Sequence, residues 1–486
     1  MAETLGTGRA APVQSGAHRP EPDERQRSTG SPRRAYTSRP ALDSGDTARL
    51  LLRRPGIGSL SWRSRQSTRR EMKRGHRAPG SMKTATVRCT SAEPCTSCLS
   101  DQIYLRTTRR PIGSTTGGAV SVVDLFAGCG GMTLGLAEAA REVGCQLSVQ
   151  LAADFDSDVL AIYKRNFPDA RTEAVDVCAL FDGKLGASIT TTERRVATAV
   201  GLVDVLLGGP PCQGHSDLNN HTRRKDPKNA LFSRMARAAE VLRPLIIIAE
   251  NVTAVQWDEG GVVSSARDVL LANGYSVCAA VLDLRRLGVP QTRKRFVLLG
   301  SRLPQIAPDV LLSELGSSME LHPDRTVRWA IGDLMTVKRD SIYNTASEVS
   351  AANAERLKIL FGNRLFDLPN KHRPPCHRDG NHSYVSMYGR LRWNKPAHTI
   401  TTGFGSMGQG RYVHPQQHRT LTPHEAARLQ AFPDWFDFGA DTRRGVLATA
   451  IGNAVPPFLT RTIGHRLLPA ILASRGSGDG EVKRSA

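Results

Sequence analysis

Residues 208–216 read Gly-Gly-Pro-Pro-Cys-Gln-Gly-His-Ser. Gly208-Gly209 and Pro210-Pro211 make a stiff, tight loop directly after a strand-like run, Val203–Leu207. Cys212 therefore stands at the carboxyl end of a strand, where open α/β sheets hold their ligands. A thiol there suits nucleophilic attack, although the run by itself is equally a free Cys with a turn behind it. A second group sharpens the choice. Glu250-Asn251-Val252 follows the apolar run Leu245–Ala249, so the Glu250 carboxyl emerges from a buried strand into the same cleft, and a carboxyl so placed can act as a proton donor. Buried Glu is rare, which weighs against a purely structural role. Gln291-x-Arg293-x-Arg295 puts two guanidinium groups just ahead of another strand, where they can donate to a base carbonyl or hold a phosphate; as an exposed edge they would be a solvated face.

A separate constellation lies nearer the start. Asp124-Leu-Phe126-Ala-Gly128-Cys-Gly130-Gly131 is a glycine-rich turn between a strand and a helix, and its glycines allow close backbone approach to a ligand. The spacing is not the dinucleotide fingerprint. Asp154 at the end of the second strand and Asp176 at the end of the third can accept from ribose hydroxyls and an adenine amino group, with Phe155 as an apolar face for a purine. The alternative is that both Asp residues cap helices.

These groups need a scaffold, and the chain supplies one. From residue 118 strands alternate with helices, which predicts a parallel sheet. Strands are expected at 120–124, 148–153, up to 176, 203–207, 245–249, 276–282 and 296–299. Helices are expected from the glycine turn to 141, then over 157–166, 230–242, 262–272, 422–430 (with Thr422 and Glu425 as a capping box) and 454–468. Residues 301–395 are Pro, Arg, His and Asn rich with weak periodicity, and read as a smaller irregular domain.

The net charge of +21 points to a polyanionic partner. Residues 1–117 hold 22 Lys and Arg against 9 Asp and Glu, so +13 of the +21 sits there. This segment reads as mostly disordered, either a nucleic-acid-binding tail or upstream translated sequence with the start at Met72 or Met82. The 9 Cys are scattered singly, which argues for reduced thiols in a cytoplasm. No secretory leader and no apolar run of about 18 residues is found, so no membrane span is expected. Cys95-x-x-Cys98 with Cys89 lacks a fourth ligand, and Cys376 with His372, His377 and His382 lacks a second Cys pair; no metal is expected.

DLFAGCGG, the acidic strand end with Tyr163 and Asn166, GGPPCQGHS, ENV, QTRKR and IGNAVPP (451–457) occur in the order that resembles the cytosine-5 DNA methyltransferase family, over about residues 120–300 and 396–470. The resemblance implies an α/β, Rossmann-like methyltransferase sheet with a smaller target-recognition domain, S-adenosyl-L-methionine as methyl donor and a flipped-out cytosine in double-stranded DNA as acceptor. Carried over residue by residue, it implies Cys212 as nucleophile, Glu250 facing ring nitrogen 3, Arg295 at the base carbonyl and Arg293 supporting that catalytic site. Phe126, Gly128, Gly130, Asp154, Phe155, Asp176, Pro210 and Asn453 would line the cofactor pocket, and Gln213, Ser216 and Thr399 would meet DNA. The family often has Phe at the position of His215 and Glu at that of Asp154. The expected organisation is 1–117 basic tail, 118–300 catalytic and cofactor domain, 301–395 target recognition, 396–472 DNA contact and returning helix, and 473–486 disordered tail. A monomeric prokaryotic enzyme paired with a restriction endonuclease is the reading; action on tRNA, or a non-catalytic DNA-binding protein of this fold, are the alternatives.

Overall fold

The computed structural model describes residues 95–113, 117–211, 231–258, 260–317, 325–379 and 386–476. Cys212, Gln213, His215, Ser216, Asn381 and His382 lie outside the described residues, as do the expectations for residues 1–94 and 477–486.

The described residues form seven strands: β1 (Ala119–Leu125), β2 (Gln146–Asp154), β3 (Thr172–Ala174), β4 (Val205–Gly208), β5 (Ile246–Asn251), β6 (Ser276–Asp283) and β7 (Lys294–Ser301). They form one sheet in the order β3-β2-β1-β4-β5-β7-β6. β1 pairs in parallel with both β2 and β4, so the strand order reverses there and opens a crevice at the carboxyl ends. β4 and β5 are buried throughout, as strands covered on both faces must be.

One strand departs from the parallel expectation. β7 runs antiparallel to β5 and to β6. Only residues 284–293 join β6 to β7, including a 3-10 turn at Leu284–Leu287, which is too short for the crossover a parallel pair needs. The start of β7 thereby lies at the carboxyl edge of β5, with Asn251 opposite Phe296 and Glu250 opposite Val297.

Helix α1 (Thr96–Arg106) begins the described chain and corrects the expectation that residues 1–117 are mostly disordered for this stretch. Tyr104 and Leu105 are buried, and the carbonyls of Leu105 and Thr107 accept from Asp434 N and Trp435 N at 2.9 Å each. Its apolar residues do not share one face, since Leu99 and Ile103 are exposed while Tyr104 and Leu105 are buried, which hid the helix; its stability comes from what it packs on. Helices α2 (Gly131–Val143), α3 (Ser157–Asn166), α4 (Val177–Leu180), α5 (Thr191–Val200), α6 (Leu231–Leu242) and α7 (Val262–Ala272) follow. Alternate strand residues feed opposite faces of the sheet. Val122, Leu207, Ile246 and Ile248 pack with α2 residues, whereas Val123, Leu206, Ile247 and Ala249 pack with α6 residues.

Residues 301–395 are divided between cores. Leu311, Leu312 and Leu315 of α8 (Pro308–Ser317) join the sheet core. Val327, Ala330 and Ile331 of α9 (Val327–Ile331) join a core over α3. α10 (Ala351–Gly362) contributes Leu357 and Leu360 to a small separate core with Leu368, Met387, Tyr388, Met407 and Val413; α11 (Pro375–Arg378) lies between. This last core therefore reaches past residue 395. α12 (Pro423–Leu429) carries the expected capping box of Thr422 and Glu425. The helix expected over 454–468 is α14 (Pro457–Gly476), and an unexpected helix, α13 (Arg444–Asn453), precedes it. Pro457 suits a first helical position, where its missing N–H costs nothing. α14 also continues past 473, where a disordered tail was expected.

Candidate active site

The glycine turn leaves β1 through three residues with positive φ: Phe126 at 56°, Gly128 at 54° and Gly130 at 93°. For Phe126 this conformation is strained. Asp154, at the end of β2, holds the turn: its Oδ2 accepts from Gly128 N at 2.9 Å and its Oδ1 from Asp156 N at 3.0 Å. Burial pushes the Asp154 carboxyl above its usual range. An added Cβ on Gly128 would meet nothing within 4 Å, so the turn opens onto space. Phe155 beside it is 74% exposed, unusual for a phenyl ring on a structured strand end. Asp176 lies two residues beyond β3 and caps α4, its Oδ1 accepting from Cys178 N at 2.9 Å; the helix-capping alternative thus holds for its Oδ1.

Asp124, at the end of β1, was not singled out from sequence. It is buried, and its Oδ2 accepts from Thr133 Oγ1 at 2.6 Å, with Tyr163 OH 2.9 Å from the same hydroxyl. Burial pushes its carboxyl up to about 7. The available signal was a lone carboxylate closing an otherwise apolar strand.

On the other side of the crevice, Asn251 Nδ2 donates to Pro210 O at 3.3 Å and Asn251 Oδ1 accepts from Val252 N at 2.8 Å. The amide thus ties the Pro-Pro loop after β4 to the end of β5. Sequence reading noted the ENV run but not this role. Glu250 Oε1 lies 2.7 Å from Arg295 Nε. The two form a largely buried ion pair at the mouth of the crevice. Desolvation lowers the Arg295 guanidinium from its usual range despite Glu250. The two meet because β7 is reversed.

Arg293 packs behind them: burial, with the Arg295 charge, lowers its guanidinium well below the usual range, and Glu250 opposes this. Arg293 is 2% exposed and donates to Ile400 O at 3.0 Å and Ala454 O at 3.2 Å. Gln291, fully buried, accepts from Ile400 N at 3.0 Å and donates to Leu429 O at 2.9 Å and Gln430 Oε1 at 2.7 Å. Thr399 Oγ1 donates to Thr292 O at 3.2 Å. Asn453 is exposed at the end of α13. The structure thus gathers Phe126, Gly128, Asp154 and Phe155 at one strand end, and Pro210, Glu250, Asn251 and Arg295 at its neighbours.

Residues 120–468 match the family model of the C-5 cytosine-specific DNA methylases. The chain belongs to this family. It is a DNA (cytosine-5)-methyltransferase with a mixed seven-stranded α/β sheet. The enzyme is 44% identical over 374 residues to the type II methyltransferase M1.BsuMI of Bacillus subtilis, spanning 76% of this chain and 85% of that one. The type II methylase M.HgiDII of Herpetosiphon aurantiacus is 31% identical over 71% of this chain and 94% of its own. The type II methyltransferase M.DdeI of Desulfomicrobium norvegicum is 27% identical over 72% and 88% respectively.

Among the described residues, no group of three or more His, Cys, Asp or Glu is placed to hold a metal ion. The Cys98 thiol is pushed up by burial. Among them, too, no helix is long and apolar enough to cross a membrane.

Proposed function

We propose that this methyltransferase modifies carbon 5 of a flipped-out cytosine in a specific double-stranded DNA sequence through a covalent adduct on Cys212. The observation that carries the reading is the Glu250–Arg295 pair at 2.7 Å, set against the loop that leads to Cys212: a Cβ on Gly209 would stand 3.6 Å from Glu250 Oε2. Carbon 5 of cytosine is a poor nucleophile. Addition of the Cys212 thiolate to carbon 6 makes carbon 5 enamine-like. Glu250, hydrogen-bonded to ring nitrogen 3, stabilises the charge that develops, and Arg295 holds the base carbonyl. Once carbon 5 is alkylated, a base takes its proton, the C–H electron pair re-forms the 5,6 double bond, and the Cys212 thiolate is expelled. The base lies within the duplex stack, so it must be flipped out to reach these groups.

The residues fit S-adenosyl-L-methionine. The open backbone over Gly128, the Asp154 carboxylate and the exposed Phe155 ring suit a ribose and a purine. When bound, the group supplies an electrophilic methyl on a sulfonium. Phe126, Gly130, Asp176, Pro210 and Asn453 complete this assignment, while Gln213, Ser216 and Thr399 are assigned to DNA. Residues 301–395 are assigned to target recognition. The relatives' type II names support pairing with a restriction endonuclease, and the enzyme acts as a monomer in a prokaryotic cytoplasm.

Bisulfite sequencing of DNA from a host expressing the chain tests substrate, base and site together. Conversion protection at cytosines in one short sequence is expected, and its absence would refute the reading. Cys212→Ser should abolish protection, and duplex containing 5-fluorocytosine should trap an adduct that maps to Cys212. An adduct on another cysteine would overturn the assignment.

A further inference from the structure

The resemblance implies that Arg293 supports the site where Arg295 meets the base. It lies in the interior among backbone carbonyls, and what those carbonyls belong to is informative. Ile400 follows Thr399, the residue assigned above to the DNA backbone. Ala454 follows Asn453, assigned above to the cofactor. One guanidinium therefore bridges the two segments, donating to Ile400 O at 3.0 Å and to Ala454 O at 3.2 Å.

The bridge is reinforced on both sides. Ile400 N donates to Gln291 Oε1 at 3.0 Å, so both backbone groups of Ile400 are held from the run just ahead of β7. Gln430 Nε2 donates to Ile451 O at 2.6 Å and Ala454 O at 3.3 Å, and its Oε1 accepts from Gln291 Nε2 at 2.7 Å. The end of α13 also presses directly on the DNA-side segment: a Cβ on Gly452 would collide with the backbone of Thr401 and Thr402. Gln291, Arg293 and Gln430 are all buried, so water cannot replace a lost partner, and the network keeps its geometry or fails as a unit. A buried cation served by carbonyls is a costly arrangement. It is compensated in part because Ala454 O lies at the carboxyl end of α13, where positive charge is favoured.

We propose that Arg293 is a positioning residue that couples occupancy of the cofactor pocket to the setting of the Thr399 segment against DNA. A shift of the α13 end when Asn453 takes up its ligand moves Ala454 O, and the Arg293 fork transmits that shift to Ile400 and its neighbour. The proposal rests on the roles given above to Asn453 and Thr399.

Two measurements test it. The first uses the wild-type chain without DNA. Saturation with S-adenosylhomocysteine should slow hydrogen exchange in residues 396–402, where the Ile400 amide reports directly. Binding without added protection there would overturn the coupling, whereas no binding at all would strike the cofactor reading itself. The second uses a duplex carrying the sequence mapped by bisulfite protection. S-adenosylhomocysteine should tighten its binding by a factor in the range of roughly 5–150 typical of coupled sites. Arg293→Lys keeps the charge but cannot span two carbonyls as a fork, so the factor should collapse towards one while S-adenosylhomocysteine affinity without DNA stays within about threefold. Retention of the full factor in this variant would overturn the proposal. Should the variant fail to fold, the wild-type exchange result decides.

Discussion

Asp101→Asn makes a demanding test of how the chain ahead of the sheet contributes to the fold. Asp101 sits in α1, and its two oxygens bind two different arginines. Arg325 Nη1 lies 2.7 Å from Oδ2, and Arg461 Nη1 donates to Oδ1 at 2.7 Å. The two losses are unequal. Arg461 keeps Glu142, at 2.6 Å. Arg325 is 3% exposed; among the described residues Nη1 keeps Gly288 O at 3.1 Å, Nε and Nη2 make no hydrogen bond, and the guanidinium lies over the Trp329 and Phe458 rings, which hold no negative charge. Removing the carboxylate from a buried pair typically costs about 3–5 kcal/mol, because the other charge is left uncompensated. Asparagine keeps one acceptor oxygen, which favours the lower end. A unit of roughly 400 residues unfolds with an entropy of about 0.8 kcal/mol/K, so a loss of ~3 kcal/mol lowers the thermal midpoint by ~4 °C. Differential scanning calorimetry on the full chain reads this directly. Arg325→Met in the Asp101→Asn background should recover part of the loss, since both charges are then gone. A midpoint drop below about 1 °C, or full additivity of the two substitutions, would refute the argument. By the same reasoning a chain beginning at Ile112, which lacks α1, should be destabilised.

Asp124→Asn should change how stability depends on pH. Burial holds the Asp124 carboxyl at about 7 against a usual 3.8, so the folded state binds the proton more tightly, and this stability is present below about pH 4 and lost as pH rises through 7. The full span corresponds to roughly 4 kcal/mol. The asparagine variant, which still accepts from Thr133, should gain midpoint relative to the wild type from pH 5 to 8; parallel curves would refute this. Asn251→Ala releases Pro210 O and leaves Val252 N without its side-chain acceptor. A loss of about 1–1.5 kcal/mol of positioning predicts a roughly tenfold fall in kcat, measured by steady-state methylation. An unaltered kcat would show that the amide does not set the loop.

Much of the scaffold was legible in the amino-acid order. Apolar runs between turn signals marked β4 and β5 most clearly, because a strand buried on both faces must be apolar throughout, while the short, polar β3 (Thr172–Ala174) was placed from its position in the strand–helix alternation. Glycines with positive φ at 128 and 130, and the Thr422–Glu425 capping box, are local chemistry that sequence shows directly. Helix α1 was not legible: its few apolar residues give no sustained period, and its partners Trp329, Asp434 and Arg461 lie more than 200 positions away. The same limit governs the site. Residue types and spacing nominated Glu250, Arg293 and Arg295, but they could not separate the two arginines. Strand direction did that. A connection too short for a crossover reversed β7, which set Arg295 against Glu250 at the carboxyl edge and left Arg293, before the strand begins, to face Ile400 and Ala454 in the interior.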